Sequence, residues 1–242
     1  SSRNITLGLG ETVTALDCAA GRVVTDSGEY RYEKLLLATG AEPFFPPIAG
    51  LRESGVFALR TVEDALRIRE CAASCRTVLV LGGGLLGLEL ADHLADGRRE
   101  IRVVEYFDTL LPRQLAPEKG RRLQELLEAR GFRFFLGEHS TRLDRAGDEL
   151  VLVTESGDEI RAGMAIVSAG VRAATGLAAA AGIPTDKGIL VNRCLETGVS
   201  GIHAAGDCIE LDGRLWGFVK SAMEQGRVAG ENMVQGNTAS YA

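Results

Sequence analysis

Apolar and polar positions follow two rhythms along the chain, and one stretch carries both. Thr77–Leu81 is a short unbroken apolar run, which suits a strand buried on both faces. Beyond it, Leu85, Leu86, Leu88, Leu90, Ala91, Leu94 and Ala95 fall largely on one stripe of a helix, ended by Gly97. Ile101–Val104 returns to strand text, with Glu105 at its tip. Gly82, Gly84 and Gly87 fill the turn between the first strand and the helix. The pattern therefore predicts a strand, a glycine turn, a helix, a second strand and an acid.

The same rhythms place the other elements. Upstream, Ile5–Leu9, Thr12–Leu16, Arg22–Thr25 and Tyr30–Tyr32 read as strands, with a turn at Asp26-Ser27-Gly28. Leu35–Ala38 reads as a buried strand entering Thr39-Gly40, and Pro43, Pro46 and Pro47 mark a linker. Arg60–Cys75 predicts a helix with Thr61 as N-cap and Glu63 and Asp64 in its first turn. Downstream, Pro117–Arg130 predicts a helix with Leu123, Leu126 and Leu127 facing the core, and Gly131 stops it. Phe132–Leu136 is a third strand. A meander follows: Leu150–Thr154, a turn at Glu155-Ser156-Gly157, Glu159–Arg161, then Ala165–Ser168 into Gly170. In the last third, Gly188–Val191 and Ile202–Asp207 read as strands. Trp216–Val234 reads as a helix carrying Ala222, Gly226, Ala229 and Met233.

The chain also repeats itself. Val24-Thr25-Asp26-Ser27-Gly28-Glu29 matches Val153-Thr154-Glu155-Ser156-Gly157-Asp158. Each copy leads to an apolar strand and a small-residue turn, Ala38-Thr39-Gly40 or Ser168-Ala169-Gly170. Val153 lies 71 residues past Gly82, and the same spacing back from Val24 puts a first glycine loop about 48 residues upstream of Ser1. The sequence is thus expected to be a piece of a longer chain. It holds one whole dinucleotide domain inserted in a second that lacks its phosphate loop.

Composition narrows the function classes. At 242 residues the chain can bury one large core or two modest ones. A net charge of −6 without a basic run argues against a nucleic-acid surface. No apolar run reaches membrane-spanning length. The five cysteines contain no C-x-x-C, and their odd count without framework spacing suggests a reducing compartment such as the cytoplasm. Cys71 and Cys75 share a helix face as small buried hydrophobes. His93 reads as structural, and His139 lies in a polar loop with no partner spacing. No cluster has metal-ligand spacing.

The glycine unit supplies the chemistry. Gly82 permits a tight turn, Gly84 admits a pyrophosphate, and Gly87 lets helix and strand pack closely. The helix N-terminus offers unpaired amides to phosphates. Glu105 can accept hydrogen bonds from both ribose hydroxyls. It would repel a 2′-phosphate by on the order of 4 kcal/mol at 4 Å and an effective dielectric of 20. Tyr106, Phe107 and Asp108 offer no cation to offset that, so NAD(H) is expected over NADP(H).

Four motifs in order resemble the pyridine nucleotide–disulfide oxidoreductase superfamily. They are Ala38-Thr39-Gly40-Ala41, Gly82–Glu89, Ser168–Arg172, and Ile202–Asp207 followed by Cys208. Residues 215–233 are similar to NADH-dependent rubredoxin reductases and to the flavin domain of nitrite reductase large subunits. Ala173-Ala174 stand where the family has Pro-Asn, and His203 where it has Tyr or Phe. The resemblance implies an α/β fold: a Rossmann-like NAD domain, parallel sheet plus meander, at 44–170. It would be inserted in an incomplete FAD domain of similar fold, at 1–43 and 171–242. It implies NAD(H) on Gly82, Gly83, Gly84, Leu85, Leu86 and Gly87, with Glu105, Tyr106 and Gly170 beside them. It implies FAD along Val13, Thr39, Gly40, Arg60, Gly206, Asp207 and Val219, with Asp207 on the ribityl chain. Glu89 is implied at the nicotinamide–flavin junction as the catalytic residue. The implied activity is hydride transfer from NADH to FAD, then electron transfer to a redox protein or small acceptor. An NADH-binding module without redox activity, and an NADH oxidase or disulfide reductase of the same superfamily, are the alternatives.

Overall fold

The structure is a computed structural model and describes residues 5–241. The chain divides into two compact units. One is contiguous, Pro43–Val171; the other is split, built from the segment ending at Glu42 and the segment starting at Arg172.

In the split unit, β1 (Val13–Asp17), β2 (Arg22–Thr25) and β3 (Glu29–Arg31) form an antiparallel meander. Then come β4 (Leu35–Leu37) and β5 (Ala41–Pro43), which ends at the crossing into the contiguous unit. The predicted strand at Ile5–Leu9 does not form. Its Ile5, Leu7 and Leu9 are exposed in irregular backbone, because an apolar run becomes a strand only where a neighbour pairs with it.

The contiguous unit runs β6 (Val56–Phe57), α1 (Val62–Ser74), β7 (Thr77–Leu81), α2 (Leu85–Leu94), β8 (Glu100–Glu105), α3 (Pro117–Glu128) and β9 (Phe132–Leu136). It then makes the meander β10 (Ser140–Ala146), β11 (Glu149–Thr154) and β12 (Glu159–Ala162), and closes with β13 (Met164–Val167). Its main sheet is parallel, in the order β6-β13-β7-β8-β9. The unbroken apolar run of β7 follows from cover on both faces. Val78 and Val80 pack with Ile68, Leu88, Ala91 and Leu127 on the helix side. Leu79 and Leu81 pack with Leu143, Leu150 and Leu152 on the meander side. Helix α1 starts as expected: Thr61 and Asp64 form a reciprocal capping box.

Three expectations change. Leu126 is 51% exposed, because the buried stripe of α3 runs through Gly120, partly buried Leu123 and Leu127, and Leu126 lies off it. Helix α2 ends at Leu94, three residues short of Gly97. Strand β10 was not expected, since Leu143 is its only buried side chain and its other positions are polar or small.

After the chain returns, the split unit adds β14 (Val171–Ala173), α4 (Gly176–Ala180), β15 (Ile189–Leu190), β16 (Ile202–Ala204), β17 (Ile209–Leu211), β18 (Arg214–Leu215) and α5 (Val219–Gln235). Strand β16 pairs in parallel with β4, joining the two halves. Helix α5 begins three residues later than the pattern predicts. It buries Gln225, Val228, Ala229 and Asn232, two of them polar.

The repeat extends into backbone detail. Val13 pairs with Thr25 and Ser140 with Thr154, and the register slips just after each first residue. Thr14 Oγ1 donates to the Val24 carbonyl at 3.3 Å, and Thr141 Oγ1 to the Val153 carbonyl at 3.0 Å. The amide of Asp26 donates to the Thr12 carbonyl at 3.0 Å, and that of Glu155 to the His139 carbonyl at 2.8 Å. Each meander is followed by a parallel strand, β4 or β13. Thr12 and His139 therefore hold corresponding places, as do Asp26 and Glu155.

Candidate functional site

In the contiguous unit the predicted loop lies at the C-terminal edge of the parallel sheet, where open α/β folds bind ligands. The Gly82 amide donates to the Val104 carbonyl and the Ser168 amide to the Leu81 carbonyl, both at 2.8 Å, so the ends of β13, β7 and β8 are tied together. Gly82 has φ +113, and a Cβ there would sit 2.4 Å from the Ser168 carbonyl oxygen. A Cβ on Gly87 would sit 2.3 Å from the Gly82 carbonyl oxygen. No side chain fits at either position. Gly84 differs: its Cβ position has no heavy atom within 4 Å, and it caps α2 with no side-chain bond to the first amides. The cradle is open where a phosphate would approach.

Glu105 ends β8 and is 8% exposed. Its Oε2 accepts the Gly83 amide at 2.5 Å and its Oε1 accepts the Phe107 amide at 3.0 Å. The carboxylate is fixed to the loop, and each oxygen keeps a further lone pair for a ribose hydroxyl. Leu85 and Leu86 stand exposed at the helix start. Glu89 is exposed one turn further on; its carbonyl lies 2.8 Å from His93 Nδ1. Gly170 has φ +97, and its carbonyl accepts the Phe44 amide at 2.9 Å. Arg60 precedes the N-cap of α1, with its amide on Asp64 Oδ2 at 3.0 Å.

Beside Glu105, Tyr106 is 62% exposed and stacks on His139 with ring centroids 4.3 Å apart and planes 13° from parallel. Phe107 meets Tyr106 edge-on at 5.4 Å. His139 Nδ1 lies 3.3 Å from Glu155 Oε2. The sequence shows no partner spacing for His139, and its partners come from the tertiary fold. The fold brings it next to residues 33 and 16 positions away, distances that no local spacing rule reveals.

In the split unit, β4 runs into Thr39-Gly40 and β16 runs towards Gly206-Asp207 on the neighbouring strand; the Ala205 amide donates to the Leu37 carbonyl at 3.0 Å. Thr39 Oγ1 donates to the Ala174 carbonyl at 2.7 Å, and the Ala174 amide returns a bond to the Gly40 carbonyl at 2.9 Å. Val13 and Thr39 line one cleft of about 730 Å³, with Leu35, Leu37 and Thr175. That volume is in the range of small-molecule and cofactor sites. Among the described residues the hydrogen-bonded partner of β4 is β16, and Leu35 to Leu37 form part of the cleft wall.

Gly206 has φ +90, and its amide donates to Gln225 Oε1 at 2.8 Å. Gln225 is fully buried and its Nε2 has no partner in the protein, an orphaned donor beside the Gly206-Asp207 turn. Sequence reasoning missed Gln225. Its one signal is a polar residue four positions before the small, core-facing Ala229 on the same stripe. Val219 opens α5, and its N-cap Phe218 offers no side-chain bond, so the first amides of that helix are open. Among the described residues no group of three or more His, Cys, Asp or Glu is placed to hold a metal ion. Likewise no helix is long and apolar enough to cross a membrane.

A glycine cradle, an acid bound to it and a parallel sheet with its loops on one edge define an α/β dinucleotide-binding protein. The chain belongs to the pyridine nucleotide-disulphide oxidoreductase family, whose model matches residues 1–229. Members of that family bind FAD and use NAD(P)H. The chain is 35% identical over 241 residues to a nitrite reductase [NAD(P)H] of Bacillus subtilis, covering 98% of this chain and 30% of that protein. It is 31% identical over 236 residues to the rubredoxin-NAD(+) reductase of Alcanivorax borkumensis, covering 95% and 60%. Among solved structures, an NAD-dependent persulfide reductase from A. fulgidus matches at 29% identity and a TM-score of 0.89, over 96% of this chain and 45% of that one. The chain thus spans less than two thirds of each of these relatives. By name they are oxidoreductases that use NAD or NAD(P)H.

Proposed function

We propose that the protein is an FAD-dependent oxidoreductase that takes hydride from NADH and passes electrons to a redox protein or a small acceptor. The observation that carries the reading is the Gly82–Gly87 cradle held to Glu105. The Gly84 Cβ position is open and the acid is fixed at the loop, which supports a pyrophosphate at the start of α2 and an unmodified ribose at Glu105. On this reading residues 44–170 hold NADH, and the flanking segments 1–43 and 171–242 hold FAD. The rubredoxin-NAD(+) reductase relative supports a redox-protein acceptor.

FAD, when bound, accepts hydride from NADH and releases electrons one or two at a time. The protein's part is binding, orientation and electrostatics. Gly82, Gly83, Gly84, Leu85, Leu86 and Gly87 seat the pyrophosphate of NADH, and Gly170 borders the same edge. Glu105 holds the ribose, and as an anion it disfavours a 2′-phosphate. Tyr106 flanks the adenosine half. Val13 and Thr39 line the cleft that would take FAD, Gly40 follows Thr39, and Asp207 on its glycine turn would accept ribityl hydroxyls. The open amides at Val219 would offer hydrogen-bond donors and a positive helix end to the flavin. Glu89 is the catalytic candidate, and Arg60, before the cap of α1, is a further cofactor-binding candidate.

The parent protein is expected to purify yellow, to bleach with NADH under anaerobic conditions, and to respond more weakly to NADPH. A parent protein that carries no flavin and ignores NADH overturns the reading.

A further inference from the structure

The stacked pair at Tyr106 and His139 belongs to neither the phosphate cradle nor the flavin cleft. Three separate elements build it. Tyr106 follows β8, His139 precedes β10, and Glu155 opens the turn between β11 and β12. Tyr106 is the direct neighbour of Glu105, whose carboxylate is fixed to Gly83. One face of its ring is covered by His139 at 4.3 Å, yet the residue stays 62% exposed. Glu155 holds His139 twice: its amide donates to the His139 carbonyl at 2.8 Å, and its carboxylate lies 3.3 Å from Nδ1. The exposed ring is not fixed in place by core packing, so its orientation comes from its ring neighbours, His139 on its face and Phe107 at its edge.

The internal repeat gives His139 a second, independent meaning. Thr12 is its counterpart, and the next residue, Val13, lines the cleft of the split unit. The same point of each meander therefore adjoins a binding edge. In the contiguous unit that point carries an aromatic ring where the other copy has a small hydroxyl side chain.

We infer that His139 is a positioning residue for dinucleotide binding: by stacking on Tyr106 and leaning on Glu155, it turns Tyr106 into a fixed aromatic wall for the adenine ring. Adenine is flat, and an oriented aromatic surface binds it by stacking. The inference rests on the reading of the Gly82–Glu105 unit as an NADH site.

The test compares NADH with reduced nicotinamide mononucleotide, which has no adenosine half, in the full-length parent protein. His139→Ala is expected to weaken NADH binding about two- to tenfold, the worth of one aromatic pair, and to leave the mononucleotide unchanged. His139→Phe keeps a ring in the stack and is expected to restore NADH affinity. Thermal melting of both variants shows whether the fold is intact. Equal effects on the two nucleotides, no effect on NADH, or no rescue by phenylalanine overturns the inference while the NADH site stands. A wild-type protein that binds no NADH overturns both.

Discussion

The amide of Gly83 donates to the carboxylate of Glu105 at 2.5 Å across 22 positions of sequence. The acid thus shapes the cradle, and on the proposed reading it also holds the ribose. Glu105→Gln keeps the size but sets an NH2 group against an amide donor or removes an acceptor. Loss of a charged hydrogen bond of about 1.5–3 kcal/mol predicts NADH binding weaker by about tenfold or more, with a smaller loss for NADPH. Fluorescence titration with both nucleotides checks this. An unchanged preference between them contradicts the role given to Glu105.

Two glycines three positions apart should separate folding from binding. At Gly84 an added Cβ meets nothing within 4 Å, so Gly84→Ala is expected to melt like wild type and yet bind NADH poorly. At Gly87 the Cβ meets a backbone oxygen at 2.3 Å, so Gly87→Ala is expected to destabilise the contiguous unit by about 1–3 kcal/mol. Urea unfolding and NADH titration of both variants give the answer.

Gln225 is buried and carries the Gly206 amide. Gln225→Leu leaves that amide without its acceptor. A stability loss of about 1–3 kcal/mol is expected, with weaker flavin retention by the parent protein. Val228→Ala, on the same buried face, serves as the packing control: it should cost stability and leave flavin retention alone.

Glu196 sets a pH dependence. The Gly201 amide at 3.0 Å holds its carboxyl below the ordinary value of 4.5; burial opposes this, and Asn237, His203 and Lys34 add to the lowering. A depressed folded-state pKa contributes stability above the unfolded value, and that stability is lost as pH falls through the folded value. Wild type is therefore expected to lose more stability than Glu196→Gln between about pH 5 and 3. Parallel slopes in urea midpoints against pH would contradict this.

Cys71 and Cys75 lie 4.0 Å apart, Sγ to Sγ. Burial pushes the Cys71 thiol up to about 11, and the neighbouring Cys75 adds to the rise. The thiol is protonated at neutral pH and a poor nucleophile. Iodoacetamide at about pH 8 is expected to leave Cys71 unmodified by peptide mass spectrometry until the protein is denatured.

The sequence made the backbone periods legible. The apolar run Thr77–Leu81 coincides with β7, because cover on both faces demands apolar residues along the strand, and Phe132–Leu136 coincides with the edge strand β9, where the exposed Arg133 interrupts the run. Thr61 announced the start of α1 for a local reason, since a cap acts within four residues. Long-range features stayed hidden. Strand β10 has one buried residue, so its pattern is nearly blank. Gln225 and His139 take their meaning from a glycine turn and a tyrosine that only the tertiary fold delivers. The loop glycines were readable by spacing, but the way Glu105 buries itself against Gly83 was not.

The insertion of one unit within the other has a consequence for biogenesis. Pro43–Val171 leaves the ribosome as one run and can close its parallel sheet before synthesis ends. Leu35–Leu37 is made earlier, but its partner among the described residues, Ile202–Ala204, emerges only after the contiguous unit. During that interval a row of leucines and an open strand edge wait in solvent, which is where chaperone contact or misassembly would concentrate. Slowing translation after Val171 would lengthen the interval for the split unit alone.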